Sequence, residues 1–179
     1  MTNKRTFLGF KLSLNMFFLG VWISILNVAN VFGGEPPSNN KNTQLTMSMP
    51  NITTSHSDSY NCIAVSLQSV SNGGPIYVTG FRPDASAAKA HHMLLHKCNS
   101  PYKSEPGVSW DCLSAPTCND QAQILYGWAK NADNLELPDG VSFTLDPNEV
   151  RYLVLQVHYA EPIEQPDSSG LTLELSPTP

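Results

Sequence analysis

Tyr152-Leu153-Val154-Leu155-Gln156-Val157-His158-Tyr159 decides how this chain is read. Leu153, Leu155 and Val157 alternate with Val154, Gln156 and His158, the two-residue period of a strand with one face on a core. Leu171, Leu173 and Leu175 repeat the pattern. Working outward, further short β-rich runs occupy residues 62–70, 76–81, 92–96, 122–128 and 141–145, each bounded by Gly, Pro, Asn or Asp. No amphipathic helical pattern of useful length interrupts them, which argues against a parallel sheet with crossover helices. The expected fold is all-β, an antiparallel two-sheet sandwich of jelly-roll or Greek-key type.

The N-terminus carries a different signal. Lys4, Arg5 and Lys11 precede an uncharged apolar run over residues 12–32, and Gly33-Gly34 with Pro36-Pro37 then breaks it. This is the order of a secretory signal, so residues 1–33 are expected to be a cleaved leader, with an uncleaved membrane tether through residues 12–32 as the alternative. Residues 34–57, rich in Asn, Ser, Thr and Pro, read as a polar spacer or an irregular leading strand. Residues 58–179 then form one β-sandwich domain. Cleavage would remove three of the ten basic residues, whereas all fifteen acidic residues lie beyond Gly33. The remaining chain is acidic and has no basic stripe, which makes nucleic acid and anionic membrane surfaces poor candidate partners, and no nucleic acid is expected.

A secretory route makes Cys62, Cys98, Cys112 and Cys118 two expected disulfides, with three possible connectivities. Cysteine-bound zinc is disfavoured because no C-x-x-C occurs. Asn51-Ile52-Thr53 is the only N-glycosylation sequon and makes Asn51 the expected glycan site.

His91 and His92, with His158 far downstream, supply nitrogen ligands suited to copper or zinc. Neighbours in a regular strand point to opposite faces, so both members of the pair reach one metal only if the backbone twists or bulges there. Taken alone, such a pair more often divides between solvent and core. His96 lies about 13 Å along the strand from His92, too far for joint ligation. His56, in a Ser/Thr-rich stretch, is expected to be solvated.

Several blocks occur in an order that resembles the copper- and ascorbate-dependent peptidylglycine α-hydroxylating monooxygenase family. They are Ser57-Asp58-Ser59-Tyr60-Asn61-Cys62, His91-His92-Met93-Leu94-Leu95-His96-Lys97-Cys98, Trp110-Asp111-Cys112, Thr117-Cys118, Ile124 to Ala132, Leu137-Pro138-Asp139-Gly140-Val141 and Leu155-Gln156-Val157-His158-Tyr159. The resemblance runs from about Gln44 to Pro179. Dopamine β-monooxygenase shares the His-His-Met and Val-His-Tyr elements, but the block from Ile124 looks like the peptide enzyme. The resemblance implies one electron-transfer copper on His91, His92 and His158, with Tyr60, Met93 and Gln156 close to it. It also implies disulfides Cys62–Cys112 and Cys98–Cys118, ascorbate as reductant, a glycine-extended peptide as substrate, and residence in the secretory pathway, secreted or in the granule lumen.

Two departures qualify that expectation. The family has another cysteine pair, one member falling where this chain reads Asp167-Ser168-Ser169-Gly170, and here both partners are missing. The family's oxygen-binding copper uses a His-x-His pair and a methionine from a second domain, and no His-x-His occurs here. The expected activity is therefore the electron-transfer half of the reaction, with turnover needing that second domain. A secreted copper-binding or electron-donor module without catalysis is the alternative. Protons compete with metal for imidazole nitrogen, so copper affinity is expected to weaken as pH falls through about 6.

Overall fold

A computed structural model describes residues 43–71 and 73–179. The expected leader and tether lie outside the described residues. Twelve strands follow in chain order: β1 (Thr43–Ser48), β2 (Ile52–Thr54), β3 (Ser59–Ser66), β4 (Ile76–Asp84), β5 (His92–Cys98), β6 (Trp110–Asp111), β7 (Gln123–Ala129), β8 (Leu135–Glu136), β9 (Phe143–Leu145), β10 (Tyr152–Tyr159), β11 (Ile163–Asp167) and β12 (Gly170–Ser176). A single 3-10 turn, Leu67–Ser69, is the only helical element among the described residues, and none is long and apolar enough to cross a membrane.

All pairings between these strands are antiparallel. One five-stranded sheet runs β1-β12-β4-β8 with β9 also on β4; the other runs β6-β3-β10-β5-β7. Strands β2 and β11 form a separate ribbon. Leu153, Leu155, Val157 and Tyr159 of β10 are fully buried and share one core with Val78, Phe81, Leu171 and Leu173 of the facing sheet. Burying each such aliphatic chain contributes roughly 1.5–3 kcal/mol. The alternation read from β10 therefore fixes which of its sides faces the core and which carries Gln156 and His158.

The sandwich begins earlier than residue 58. Part of the stretch read as a polar spacer or an irregular leading strand is β1, regularly paired along its length with β12 from Thr43↔Leu175 to Ser48↔Gly170. Leu45 and Met47 alternate with polar neighbours and are buried, so the strand contributes two core side chains, and Met49 just beyond it a third, despite the Asn- and Ser-rich surroundings. Strands β6 and β8, two residues each, are too short to show any periodicity.

The two disulfides join Cys62 to Cys112 and Cys98 to Cys118, and no cysteine is free. They tie the chain after β5 to the outer face of the second sheet, where Cys62, Ala64, Cys98, Trp110, Cys118 and Val154 make a small second core. Where the resembling family has its further cysteine, hydrogen bonds do the tying. The buried Asp167 carboxylate accepts from Tyr159 Oη at 2.8 Å and from the Ser169 N–H at 3.0 Å. Burial and that carboxylate push the Tyr159 phenol far above its ordinary pKa. Met49 N–H donates to Ser169 O at 3.0 Å, and Ser168 Oγ to Asn51 Oδ1 at 2.7 Å.

Gly170 closes this tie. A β-carbon there would collide with the Met47 carbonyl and with Ser48, backbone that has little room to retreat. Gly170→Ala is expected to destabilise the chain by about 1–3 kcal/mol, read as a lower urea midpoint at unchanged slope.

His96 is buried at 8% exposure between Val154 of β10 and Ile124 of β7, and neither ring nitrogen has a hydrogen-bond partner among the described residues. Burial lowers its pKa from the imidazole value. The unfolded chain takes up a proton below pH ~6.5 while folded His96 resists, so this contribution to stability is present above that pH and lost as pH falls towards the lowered value. His96→Phe removes the penalty. Its unfolding free energy relative to wild type, read from urea titrations, should rise between pH 7.5 and pH 5, the gap growing by at most about 1.4 kcal/mol per pH unit.

Candidate metal centre

Register builds the centre. In the second sheet His158 of β10 stands directly opposite Tyr60 of β3 on one side and His92 of β5 on the other. The three side chains form a row on the sheet face away from the main core. His91 joins them from outside the strand. It lies in the bend before β5, and its N–H donates to the His158 carbonyl at 2.8 Å. The turn leading into it is held by Lys89 and Ala90 N–H groups on the Ser86 carbonyl, both 2.9 Å, and by the Ala87 N–H on Asn131 Oδ1 at 2.7 Å. The neighbouring imidazoles converge because only His92 follows the strand, so a bulge between them is not required.

Nδ1 of His92 is 3.3 Å from Nδ1 of His91 and 3.2 Å from Nδ1 of His158. Two nitrogens bound to one ion at 2.0–2.1 Å, with angles between a right angle and the tetrahedral value, stand about 2.9–3.3 Å apart. The donor set and its spacing therefore fit one transition-metal ion. Exposure falls across the set: His91 is open to solvent, His92 half-buried and His158 buried. The pKa of His92 is lowered by burial first, and then by His158 and His91. A ring that resists protonation keeps its lone pair available to a metal.

His158 is held on two further sides. The Tyr60 ring stacks on it with centroids 4.2 Å apart and planes 15° apart. Its Nε2 lies 3.1 Å from Asp58 Oδ1. Gln156 shares the face of His158 one pair further along, where its Nε2 donates to Thr117 Oγ1 at 3.2 Å and to Cys112 Sγ at 3.6 Å. It thus ties the disulfide-bearing loop to β10 and hydrogen-bonds none of the histidines. Met93 is 1% exposed in the main core, paired between Val157 and Trp128 on the side of β5 away from His92. His96 lies apart from the cluster, and His56 Nδ1 meets only Ser55 Oγ at 2.9 Å in an exposed turn. Asp58 is the contact that residue-by-residue reading missed. Strand parity could not have found it, because Asp58 lies in the bend before β3 with φ 55°.

A second cluster, Cys98, Cys118 and Asp120, has metal-like spacing but is not a site, because its two sulfurs are bonded to each other. Asp120 there accepts the Asn99 and Ser100 N–H groups at 2.9 and 3.0 Å.

Comparison with known proteins agrees with this geometry. Residues 45–166 match the family model for the copper type II ascorbate-dependent monooxygenase, N-terminal domain. Peptidyl-glycine alpha-amidating monooxygenase B of Xenopus laevis is 41% identical over 138 residues, 74% of this chain and 15% of that protein. Peptidyl-glycine alpha-amidating monooxygenase of Mus musculus is 38% identical over 148 residues, 80% of this chain and 14% of that protein. Dopamine beta-hydroxylase of Homo sapiens is 33% identical over 94 residues, 48% of this chain and 15% of that protein. The chain thus spans a small part of the length of the relatives it matches. The matched range contains the clustered His91, His92 and His158 and all four cysteines. By its N-terminal domain, this chain belongs to the copper type II ascorbate-dependent monooxygenase family.

Proposed function

We propose that this chain carries the electron-transfer copper of a peptidylglycine α-hydroxylating monooxygenase, held by Nδ1 of His91, His92 and His158. The observation that carries the reading is the convergence of three imidazole nitrogens from two strands and a bend onto one point. Bound there, copper would store and release one electron, since three neutral nitrogens accommodate both Cu(I) and Cu(II) without an anionic ligand. The protein's part is to hold the rings still. Buried His158, stacked on Tyr60, fixes one nitrogen, and solvent-exposed His91 leaves a side open to ascorbate.

The substrate of the complete reaction is proposed to be a glycine-extended peptide, the hydroxylated product being an intermediate in C-terminal amidation. Two disulfides favour an oxidising compartment, hence the secretory pathway. Asn51 is exposed in a bend with φ 51°, which supports a glycan there.

Copper titration followed by EPR tests the central element. The wild-type chain should bind one Cu(II) with a nitrogen-type spectrum and lose the signal on adding ascorbate. His158→Ala should lose at least about tenfold in affinity while keeping both disulfides. Equal binding by wild type and His158→Ala would overturn the assignment.

A further inference from the structure

We infer that Asp58 is a positioning residue of the metal centre: its carboxylate accepts the Nε2–H of His158 and thereby leaves Nδ1 as the bare nitrogen aimed at His92. The inference rests on the three-histidine reading and adds a residue that the ligand set does not contain. A neutral imidazole carries one N–H, so fixing it on one nitrogen frees the lone pair of the other. Asp58 Oδ1 lies 3.1 Å from Nε2, the ring edge turned away from the cluster, while Nδ1 lies 3.2 Å from His92 Nδ1. The opposite tautomer would point an N–H into the space where the three nitrogens meet and would leave Nε2 without a proton beside a carboxylate.

The backbone is shaped to deliver this contact. Asp58 has φ 55°, the left-handed region that residues other than Gly, Asn and Asp rarely adopt. Its N–H donates to Ala160 O at 3.2 Å, just past the end of β10, so the turn is anchored to the same strand that carries His158. Tyr60 clamps the ring face and Asp58 its outer edge, leaving His158 neither tilt nor flip.

The Asp58 side chain is 79% exposed, so the pair adds little to folding stability. That separates its effect on the metal from any effect on the fold. Asp58→Gly keeps the positive φ without strain and removes the acceptor; Asp58→Asn keeps both the conformation and an acceptor oxygen. Copper affinity, the Cu(II) EPR spectrum and the metal-free melting temperature would be measured for the full chain and both variants.

Asp58→Gly should bind copper about 10–100-fold more weakly with an altered spectrum and an unchanged metal-free melting temperature. Asp58→Asn should stay within about threefold of wild type. Equal affinity and spectra for Asp58→Gly and wild type would overturn the inference while leaving the three-histidine site intact. An equal loss in both variants would also overturn it, since the carboxylate charge rather than the accepted hydrogen bond would then matter. A wild-type chain that takes up no copper would overturn the underlying site as well.

Discussion

The register of β10 between β3 and β5 is the constraint on which everything else depends. It sets His158 opposite both Tyr60 and His92, and by the same alternation sends Leu155, Val157 and Tyr159 into the core. A slip of one residue would turn His158 into the main core and turn those core chains out of it, at a cost of several kcal/mol for the side chains named. The hydrophobic pattern that folds the sheet is thus the same device that brings His92 and His158 side by side. The disulfides act on that face too, holding the loop after β5 against Gln156 and the small core around Trp110.

Much of this was legible in the sequence because strand alternation is a local signal. Tyr152–Tyr159 carries it cleanly, and the structure gives β10 those same bounds. The leading strand β1 was harder to see, because Leu45, Met47 and Met49 sit in a run dominated by Asn, Thr and Ser. Their partners on β12 lie about 130 residues away, beyond the reach of any local pattern. Strands of two residues have no period to detect.

The site was legible as residue types and only partly as geometry. Three histidines and an adjacent pair could be listed, but how neighbours meet depends on His91 lying before the strand, held by a turn that Asn131 supports from the end of β7. That is a tertiary fact. The expectation for Met93 came from the resemblance, and alternation places its side chain in the main core, on the side of β5 away from His92. Asp58 was quoted only as part of a block, and its hydrogen bond to His158 spans a hundred residues. The buried Asp167–Tyr159–Ser169 tie, in the segment where the resembling family has a cysteine, likewise emerges only when β11, β12 and β10 come together.

The proposed function reduces to one claim about coordination: a single copper held by the imidazoles of His91, His92 and His158. Pulsed EPR of the Cu(II)-loaded chain tests it most directly, because the remote ring nitrogen of each bound imidazole modulates the electron spin echo. Modulation from three imidazoles is expected, reduced to two in His91→Ala. A spectrum with one imidazole or none, or one unchanged in that variant, would contradict it.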